Sequence, residues 1–301
     1  LLPLAAQRDL PLLLARLLPE RHYARKNLGY LVAFARGCTR LYETDDDNAP
    51  QAHWRPRDLL TSAHRLLPRH AGAHWANVYA AFTQEHIWLR GLPIDHVRRG
   101  LDEFALAPVR VDVPAPIQQG LADGSPDVDA VWRLVLDREI VFDEAPNVLL
   151  PRGVWCPFNS QNTWWWPEAF PLLYLPSYCS FRMTDIWRSF VAQRCLWELG
   201  RELEFHRADV HQDRNAHDLL RDFGDENVGY LRNDDIRATL ETLPLRAGAA
   251  HLAENLLACY RALVRLGVIA SAELPLVDAW LADCRTLRVF DRVTAPLVAA
   301  S

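Results

Sequence analysis

The sequence predicts an α/β fold in which a mixed sheet is flanked by helices and followed by a helical C-terminal region. Short apolar and β-branched runs alternate with helical patterns over the earlier part of the chain. Beyond Asp234, apolar residues recur at helical spacing in IRATLETL, AAHLAENLLACYRALVRLG and LPLVDAWLADCRTLRVF. With 301 residues, 50% of them hydrophobic, the chain can bury a large core. We expect a sheet domain over 1–233 and a helical region packed on it over 234–301.

The N-terminal elements are predicted to be two helices and a strand. Residues 9–18 and 26–36 carry apolar residues at helical spacing, and Gly37 follows as a helix stop. The next run, CTRLYET, is short, apolar and β-branched, which predicts a buried strand. This strand ends in DDDNAP, so acidic side chains are expected at its carboxyl end, where ligands bind in open α/β sheets.

The later elements are predicted from shorter patterns. Residues 107–120 are expected to form a strand, 126–142 to begin as a turn and end as an apolar strand, and 157–181 to mix loop with a short strand. A helix is predicted over 183–200, with Thr184 as its N-cap and Gly200 at its end.

Composition and charge exclude several classes of protein. The net charge is -5 with both signs mixed along the chain, so no nucleic-acid surface is expected. No apolar run approaches the roughly 20 residues of a membrane span. The six cysteines form no CxxC pair, which favours free thiols in a reducing compartment. We expect a cytoplasmic protein that can attach peripherally to a membrane, and the oligomeric state stays open.

The acidic cluster Asp45-Asp46-Asp47-Asn48 is the first candidate site. Carboxylates are preferred ligands of Mn²⁺ and Mg²⁺, which usually take one or two of them together with substrate phosphates. If strand geometry persists, Asp45 and Asp47 point to one side and Asp46 to the other. We therefore assign the metal to Asp45 and Asp47, and hydroxyls of a sugar or ribose to Asp46. The alternative is a solvated acidic turn, which is the commoner outcome for the motif alone.

A basic helix start precedes that strand. Arg25, Lys26 and Asn27 open the second helix, and cations beside a helix N-terminus favour phosphate. Positive charge at this position opposes the helix dipole, which favours a ligand-binding role over a solvated helix start. We expect these residues to bind the diphosphate group of a substrate.

Several segments resemble the STELLO-type glycosyltransferase family and, more distantly, GT-A enzymes. The resemblance covers most of residues 20–235. It rests on the following segments: YARKNLGYLVAFARGCTRLYETDDDNAP, NVYAAFTQEHIWLRGLPI, PIQQGLADGSPDVDAVWRL, PFNSQNTWWWPEAFPLLYLP, RMTDIWRSFVAQR and HQDRNAHDLLRDF. It implies a GT-A-like sheet that binds a nucleotide-diphospho-sugar through an Asp-x-Asp motif. GT-A folds begin with a strand, a helix and a strand that hold the base, so part of that nucleotide-binding half is expected to be missing here.

The resemblance also implies catalytic and loop residues. Asp185 is expected to act as general base, with helix capping as the equally weighted alternative, and Arg188 to reach the diphosphate or to pair with Asp185. His217 resembles the late histidine that completes the metal site of many GT-A enzymes, although a lone histidine is more often structural. Arg214 and Asn215 are expected to lie in a loop that closes over the donor.

Acceptor-binding residues are predicted in two segments. Asp127 and Asp129 are candidates for contacts with sugar hydroxyls, although a turn started by Pro126-Asp127 is the safer interpretation. In the second segment, Gln161, Asn162 and Trp164 are assigned to the acceptor, with Trp164 as a stacking platform or as part of the core.

The function predicted from these residues is transfer of a sugar from a nucleoside diphosphate sugar to a glycan or glycoconjugate acceptor, as in polysaccharide biosynthesis, with Mn²⁺ or Mg²⁺ as cofactor. A sugar-nucleotide mutase would share the diphosphate site. A non-catalytic scaffold of a polysaccharide synthesis complex is the alternative from another class.

Overall fold

A mixed sheet forms the centre of the computed structural model, which describes residues 2–109, 111–215 and 217–293. The strand order is β1-β9-β7-β10-β8-β4-β5, and β2 pairs with β10 outside this order. Strands β3 and β6 form a separate small sheet. The strands are β1 (Leu41–Thr44), β2 (Asn48–Pro50), β3 (Leu60–Thr61), β4 (His64–Pro68), β5 (Phe104–Pro108), β6 (Val113–Pro114), β7 (Ile117–Gly124), β8 (Val148–Leu150), β9 (Asn162–Trp165) and β10 (Leu203–Gln212).

Helices flank the sheet and dominate the C-terminal third. They are α1 (Leu4–Arg8), α2 (Leu13–Leu17), α3 (Lys26–Ala35), α4 (Ala130–Val135), α5 (Thr184–Glu198), α6 (Leu219–Glu241), α7 (Leu252–Arg265), α8 (Leu274–Thr286) and α9 (Val289–Val293). All residues of α5 are buried, because neighbouring elements cover it on every side. This arrangement of a mixed sheet, flanking helices and a helical C-terminal region confirms the predicted α/β, GT-A-like fold class.

Strand directions bring three chain segments to one edge of the sheet. Strand β7 is parallel to β10, and β1 runs in the same direction because β9 is antiparallel to both β1 and β7. The carboxyl ends of β1, β7 and β10 therefore lie on the same side. Strand β2 pairs antiparallel with Val210–Gln212, so the chain that follows β1 returns beside the end of β10. The predicted position of the acidic cluster at a strand's carboxyl end is confirmed.

Local differences from the predicted elements have physical causes. The helix predicted over 9–18 is broken before Leu13, because Pro11 lacks an N–H and disfavours helical geometry in the residue before it. Thr184 is the first residue of α5 and not its N-cap. The chain bends at the start of 126–142 as predicted, but the apolar strand predicted after the turn is wrong, since the Asp129 side chain accepts the Trp132 N–H and begins α4.

Helices α6 and α7 pack on α5, α8 packs on α7 and α2, and all of them continue the main core. Tyr174 and Trp280 lie in contact at the centre of that packing, and both are buried. The predicted boundary between residues 233 and 234 falls inside α6, so the division into two domains stays a prediction. Within the described parts of the chain, no helix is both long and apolar enough to cross a membrane.

Candidate active site

A polar cavity of about 260 Å³ opens where the carboxyl ends of β1, β7 and β10 meet the start of α5. Its wall combines five carboxylates with four guanidinium groups. The charged lining residues are Asp45, Asp46, Asp47, Asp127, Asp185, Arg90, Arg133, Arg182 and Arg214. The other polar lining residues are Tyr23, Asn159, Gln161, Gln212, Asn215 and His217. Most of the residues predicted from the sequence thus meet in one place.

The acidic cluster forms a turn between β1 and β2. The Asn48 N–H donates to the Asp45 carbonyl at 3.4 Å, which closes the turn. Strand geometry therefore stops at Thr44, and the predicted alternation of the aspartates is wrong: all three line the cavity. Asp47 is held in place by the Gln212 side-chain amide at 3.1 Å and by that of Asn215 at 3.4 Å.

Lys26 connects the start of α3 to the acidic turn. Its ammonium lies 3.4 Å from the Asp45 carboxylate and 3.3 Å from the Tyr23 hydroxyl. Burial raises the pKa of Asp45 to about 6, against the lowering effect of Lys26 and with a further rise from Asp185. Among the residues that the structure describes, Lys26 is the cation paired with the three aspartates of the turn, through Asp45, so their negative charge is only partly compensated, which favours a bound cation.

Arg90 holds two of the acidic groups in the opposite wall. Its guanidinium contacts both oxygens of Asp127, at 2.8 and 2.9 Å, and both oxygens of Asp185, at 3.0 and 2.9 Å. Gly91 lets this loop approach α5 closely, because a Cβ there would lie 2.5 Å from the Ile186 side chain. The close approach brings Arg90 to Asp185 at the first turn of the helix.

The ionisation of Asp185 follows from this contact. Burial alone would raise its pKa, but the charge and hydrogen bonds of Arg90 lower the pKa to about 2. The Ser160 N–H donates to the same carboxylate at 3.3 Å. Asp185 is therefore a carboxylate at neutral pH, and it holds a proton only weakly.

A second set of ion pairs builds the basic wall. Arg182 contacts Glu226 at 2.9 Å, and Arg214 contacts Asp222 at 3.1 Å. His217 Nδ1 lies 3.1 Å from the same Asp222 carboxylate. Burial, followed by the charge of Arg214, lowers the pKa of His217, so its imidazole is neutral at pH 7.

Two residues of the predicted diphosphate site face away from the cavity. The Arg25 guanidinium donates to the Gln7 side chain at 2.5 Å and to the Leu18 carbonyl at 3.1 Å. Asn27 is fully buried, and its amide makes two bonds, of 2.8 and 2.9 Å, with the backbone of Leu175. These contacts attach the start of α3 to its neighbours, so only Lys26 of the three reaches the acidic turn.

Arg188 is completely buried behind the cavity. It contacts both oxygens of Glu43, at 3.0 and 2.9 Å, and Glu43 also accepts bonds from Tyr30 and from Trp165 Nε1. The Glu43 carboxylate raises the pKa of Arg188 although burial opposes this. In this position Arg188 supports the strand that precedes the acidic turn and does not touch the cavity. Its predicted pairing with Asp185 is wrong, since Glu43 is its partner.

Three of the predicted acceptor-binding residues are likewise structural in position. Asp129 caps α4 and accepts the Trp88 Nε1–H at 2.7 Å. The Asn162 amide donates to Asp209 at 2.7 Å and to the Leu121 carbonyl at 3.0 Å. Trp164 is buried and stacks on Tyr42 with ring centroids 4.5 Å apart, so it offers no open face.

The acidic turn offers carboxylates, which suit a divalent metal ion, but its side chains do not form a complete set of metal ligands. Among the described residues, no three His, Cys, Asp or Glu side chains converge as a ready-made ligand set. Within residues 2–109, 111–215 and 217–293, no arginine pairs with Asp45 or Asp47, and Mg²⁺ commonly uses one or two carboxylates with substrate phosphates. The two residues fit such a metal. His217 is engaged with Asp222, and its role as a third ligand stays a prediction.

Several cavity residues were not predicted from the sequence. Arg90, Arg133, Asn159 and Arg182 come from segments far apart in the chain. A usable signal was present for Arg182, which immediately precedes the helix that carries Asp185. Nothing comparable marked Arg90, because its partners lie 37 and 95 residues away.

Parts of this chain are similar in sequence to known proteins. The family model described as STELLO glycosyltransferases matches residues 182–293, which include Asp185 and Arg214. Two proteins of Arabidopsis thaliana, "Probable glycosyltransferase STELLO1" and "Probable glycosyltransferase STELLO2", are 33% and 32% identical to the chain over 231 residues. Over these ranges the chain is similar in sequence to the STELLO glycosyltransferases. The acidic turn lies N-terminal to the range that the STELLO family model matches.

The similarity covers most of this chain but a minor part of its relatives. The alignments span 70% of the chain, and 29% and 30% of STELLO1 and STELLO2. The chain thus corresponds to about a third of the length of these STELLO proteins.

Proposed function

We infer that the cavity binds a nucleoside diphosphate sugar with a divalent metal ion and transfers the sugar to a glycan or glycoconjugate acceptor. The observation that carries this proposal is the division of the cavity wall. An acidic turn with partly compensated charge faces a group of arginines, and a metal–diphosphate complex carries charges that complement both.

Asp45 and Asp47 would hold the metal ion. When bound, Mn²⁺ or Mg²⁺ would neutralise the negative charge that grows on the leaving diphosphate. Lys26 and Asn215 lie beside these carboxylates, so both are placed to contact the donor's phosphates. Arg214 follows β10 and lines the same cavity, which supports its predicted donor-binding role. Asp46 is exposed at the turn and is free to accept bonds from sugar hydroxyls.

The acceptor would enter from the side of Asp127 and Gln161. Asp185, which contacts the same Arg90 guanidinium as Asp127, is the predicted general base. Because Arg90 lowers its pKa, Asp185 is a weak base. Arg90 fixes the orientation of this carboxylate towards the cavity. The identity of the acceptor, a polysaccharide product and a cytoplasmic location stay predictions.

A panel of nucleotide sugars tests the proposal. With Mn²⁺ present, the correct donor should raise Tm by several degrees, because a ligand at 100 times its Kd stabilises the native state by about 2.7 kcal/mol. The rise should disappear in EDTA and with the matching nucleoside monophosphate, which lacks the diphosphate. Analysis of products from a labelled donor then separates transfer from a mutase reaction. A panel in which no nucleotide sugar gives a metal-dependent shift would contradict the proposal.

A further inference from the structure

Arg133 lies in the basic wall without a buried carboxylate partner. Its side chain is 5% exposed, and the ion pair found for it within residues 2–109, 111–215 and 217–293 is with Asp137 at 3.7 Å. Asp137 is 66% exposed, so water screens this contact. Arg133 Nη2 donates to the Pro126 carbonyl at 2.6 Å. In the same described part of the chain, Arg133 Nε has no hydrogen-bond partner.

The other arginines of the cavity are bound differently. Arg90, Arg182 and Arg214 each contact a carboxylate at 3.1 Å or less, and these carboxylates are largely buried. A buried guanidinium with an unused donor is costly, since burial penalises both its charge and its unmade bond. Such an arrangement is typical of a site whose partner arrives with a ligand.

The electrostatics of the neighbourhood support this interpretation. Burial, followed by repulsion from Arg214, lowers the pKa of Arg133. Burial, followed by repulsion from Arg182, lowers the pKa of Arg214. Asp127 attracts both guanidinium groups, yet the pKa of each stays lowered, so a further anion beside these cavity-lining arginines would relieve the repulsion.

We propose that Arg133, with Arg214 beside it, binds a second oxyanion of the substrate in addition to the diphosphate held near the acidic turn. The group is a carboxylate on a sugar ring or a phosphate ester, since both match the donor fork of a guanidinium. This proposal rests on the proposed function for the statement that the oxyanion belongs to a glycosyl-transfer substrate. It makes the donor sugar or the acceptor an anionic carbohydrate.

Calorimetry in EDTA tests the subsite without the metal. The probes are glucuronate, glucose 6-phosphate and neutral glucose. At least one anionic probe should bind and glucose should not, and the stronger of the two anions identifies the source of the oxyanion. Arg133→Gln should weaken that binding by about tenfold or more, as expected for the loss of a charge-assisted bond. Arg138→Gln is the matched control, because Arg138 is 47% exposed, pairs with Glu85 and does not line the cavity.

A second titration asks whether this subsite is separate from the diphosphate. With Mn²⁺ and inorganic pyrophosphate at saturation, binding of the anionic sugar should persist. Equal binding of glucose, unchanged affinity in Arg133→Gln, or full displacement by pyrophosphate would each overturn the proposal. Arg214→Gln serves as a second variant if Arg133→Gln does not fold. Anion binding that persists while no nucleotide sugar binds would leave the subsite standing and remove the proposed function.

Discussion

Replacing Arg188 by methionine should lower the free energy of unfolding by about 3–5 kcal/mol, the usual cost of removing one partner of a buried ion pair. The Glu43 carboxylate would keep its bonds from Tyr30 and Trp165 and its longer ion pair with Lys26 at 3.9 Å, but it would lose both contacts to the buried guanidinium. Methionine retains much of the side-chain volume, so the loss reports mainly the missing guanidinium. Urea-induced unfolding measures the change.

Two further variants make this result specific. Glu43→Gln combined with Arg188→Met should be more stable than Arg188→Met alone, because it removes the buried carboxylate that would otherwise keep only the longer contact with Lys26. Arg246→Met removes an ion pair whose side chains are 62% and 65% exposed and should change stability by less than about 0.5 kcal/mol. If Arg188→Met were stable and had lost turnover, the catalytic role predicted from the sequence would be restored.

Asp185→Asn should lower turnover by roughly 10²- to 10⁴-fold, the range typical of general acid or base groups, while donor binding is retained. The substitution preserves size but removes the charge that meets Arg90 and the oxygen that would accept the acceptor's proton. Steady-state turnover and nucleotide calorimetry on the same preparation separate the two effects.

Comparing the turnover of Arg90→Gln with that of Asp185→Asn distinguishes two possible roles of Asp185. If Asp185 is the base, Asp185→Asn should lose more turnover than Arg90→Gln, and Arg90→Gln should shift the acidic limb of the pH–rate profile to higher pH, because Arg90 lowers the pKa of Asp185. If Asp185 only positions Arg90, both variants and their combination should lose the same amount of turnover. Near-normal turnover in Asp185→Asn would exclude both roles.

The fold was predictable where local sequence determines it. Helices α5 and α7 have long apolar patterns, and the strand before the acidic turn is bounded by clear turn residues. Helix α4 was not predicted because a short apolar run such as VWRLV is equally compatible with a strand. Its start depends on Asp129, and the capping function of that side chain is visible only once the turn before it has formed.

Site residues were predictable where they come directly after a strand or at the start of a helix. The acidic turn, Asp185, Arg214 and His217 meet these conditions. Polar residues such as Asn27 and Asn162 were assigned to ligands because sequence alone does not distinguish a buried polar side chain with backbone partners from one that faces a cavity. Arg90 depends on contacts between distant segments, which periodicity and motif spacing do not encode.

Calorimetry of Mn²⁺-dependent nucleotide binding to Asp47→Ala tests the central claim, that the acidic turn holds the metal and the donor diphosphate. Among the described residues, the Asp47 carboxylate accepts bonds from the Gln212 and Asn215 side chains alone, so the fold should survive the change. Asp213→Ala is the matched control, since Asp213 is exposed next to the same turn and does not line the cavity. The donor affinity of Asp47→Ala in Mn²⁺ should fall by more than the 10- to 100-fold that losing an outer-sphere partner of a metal typically costs, and Asp213→Ala should match the unmodified protein. Unchanged metal and nucleotide affinity in Asp47→Ala would contradict the account.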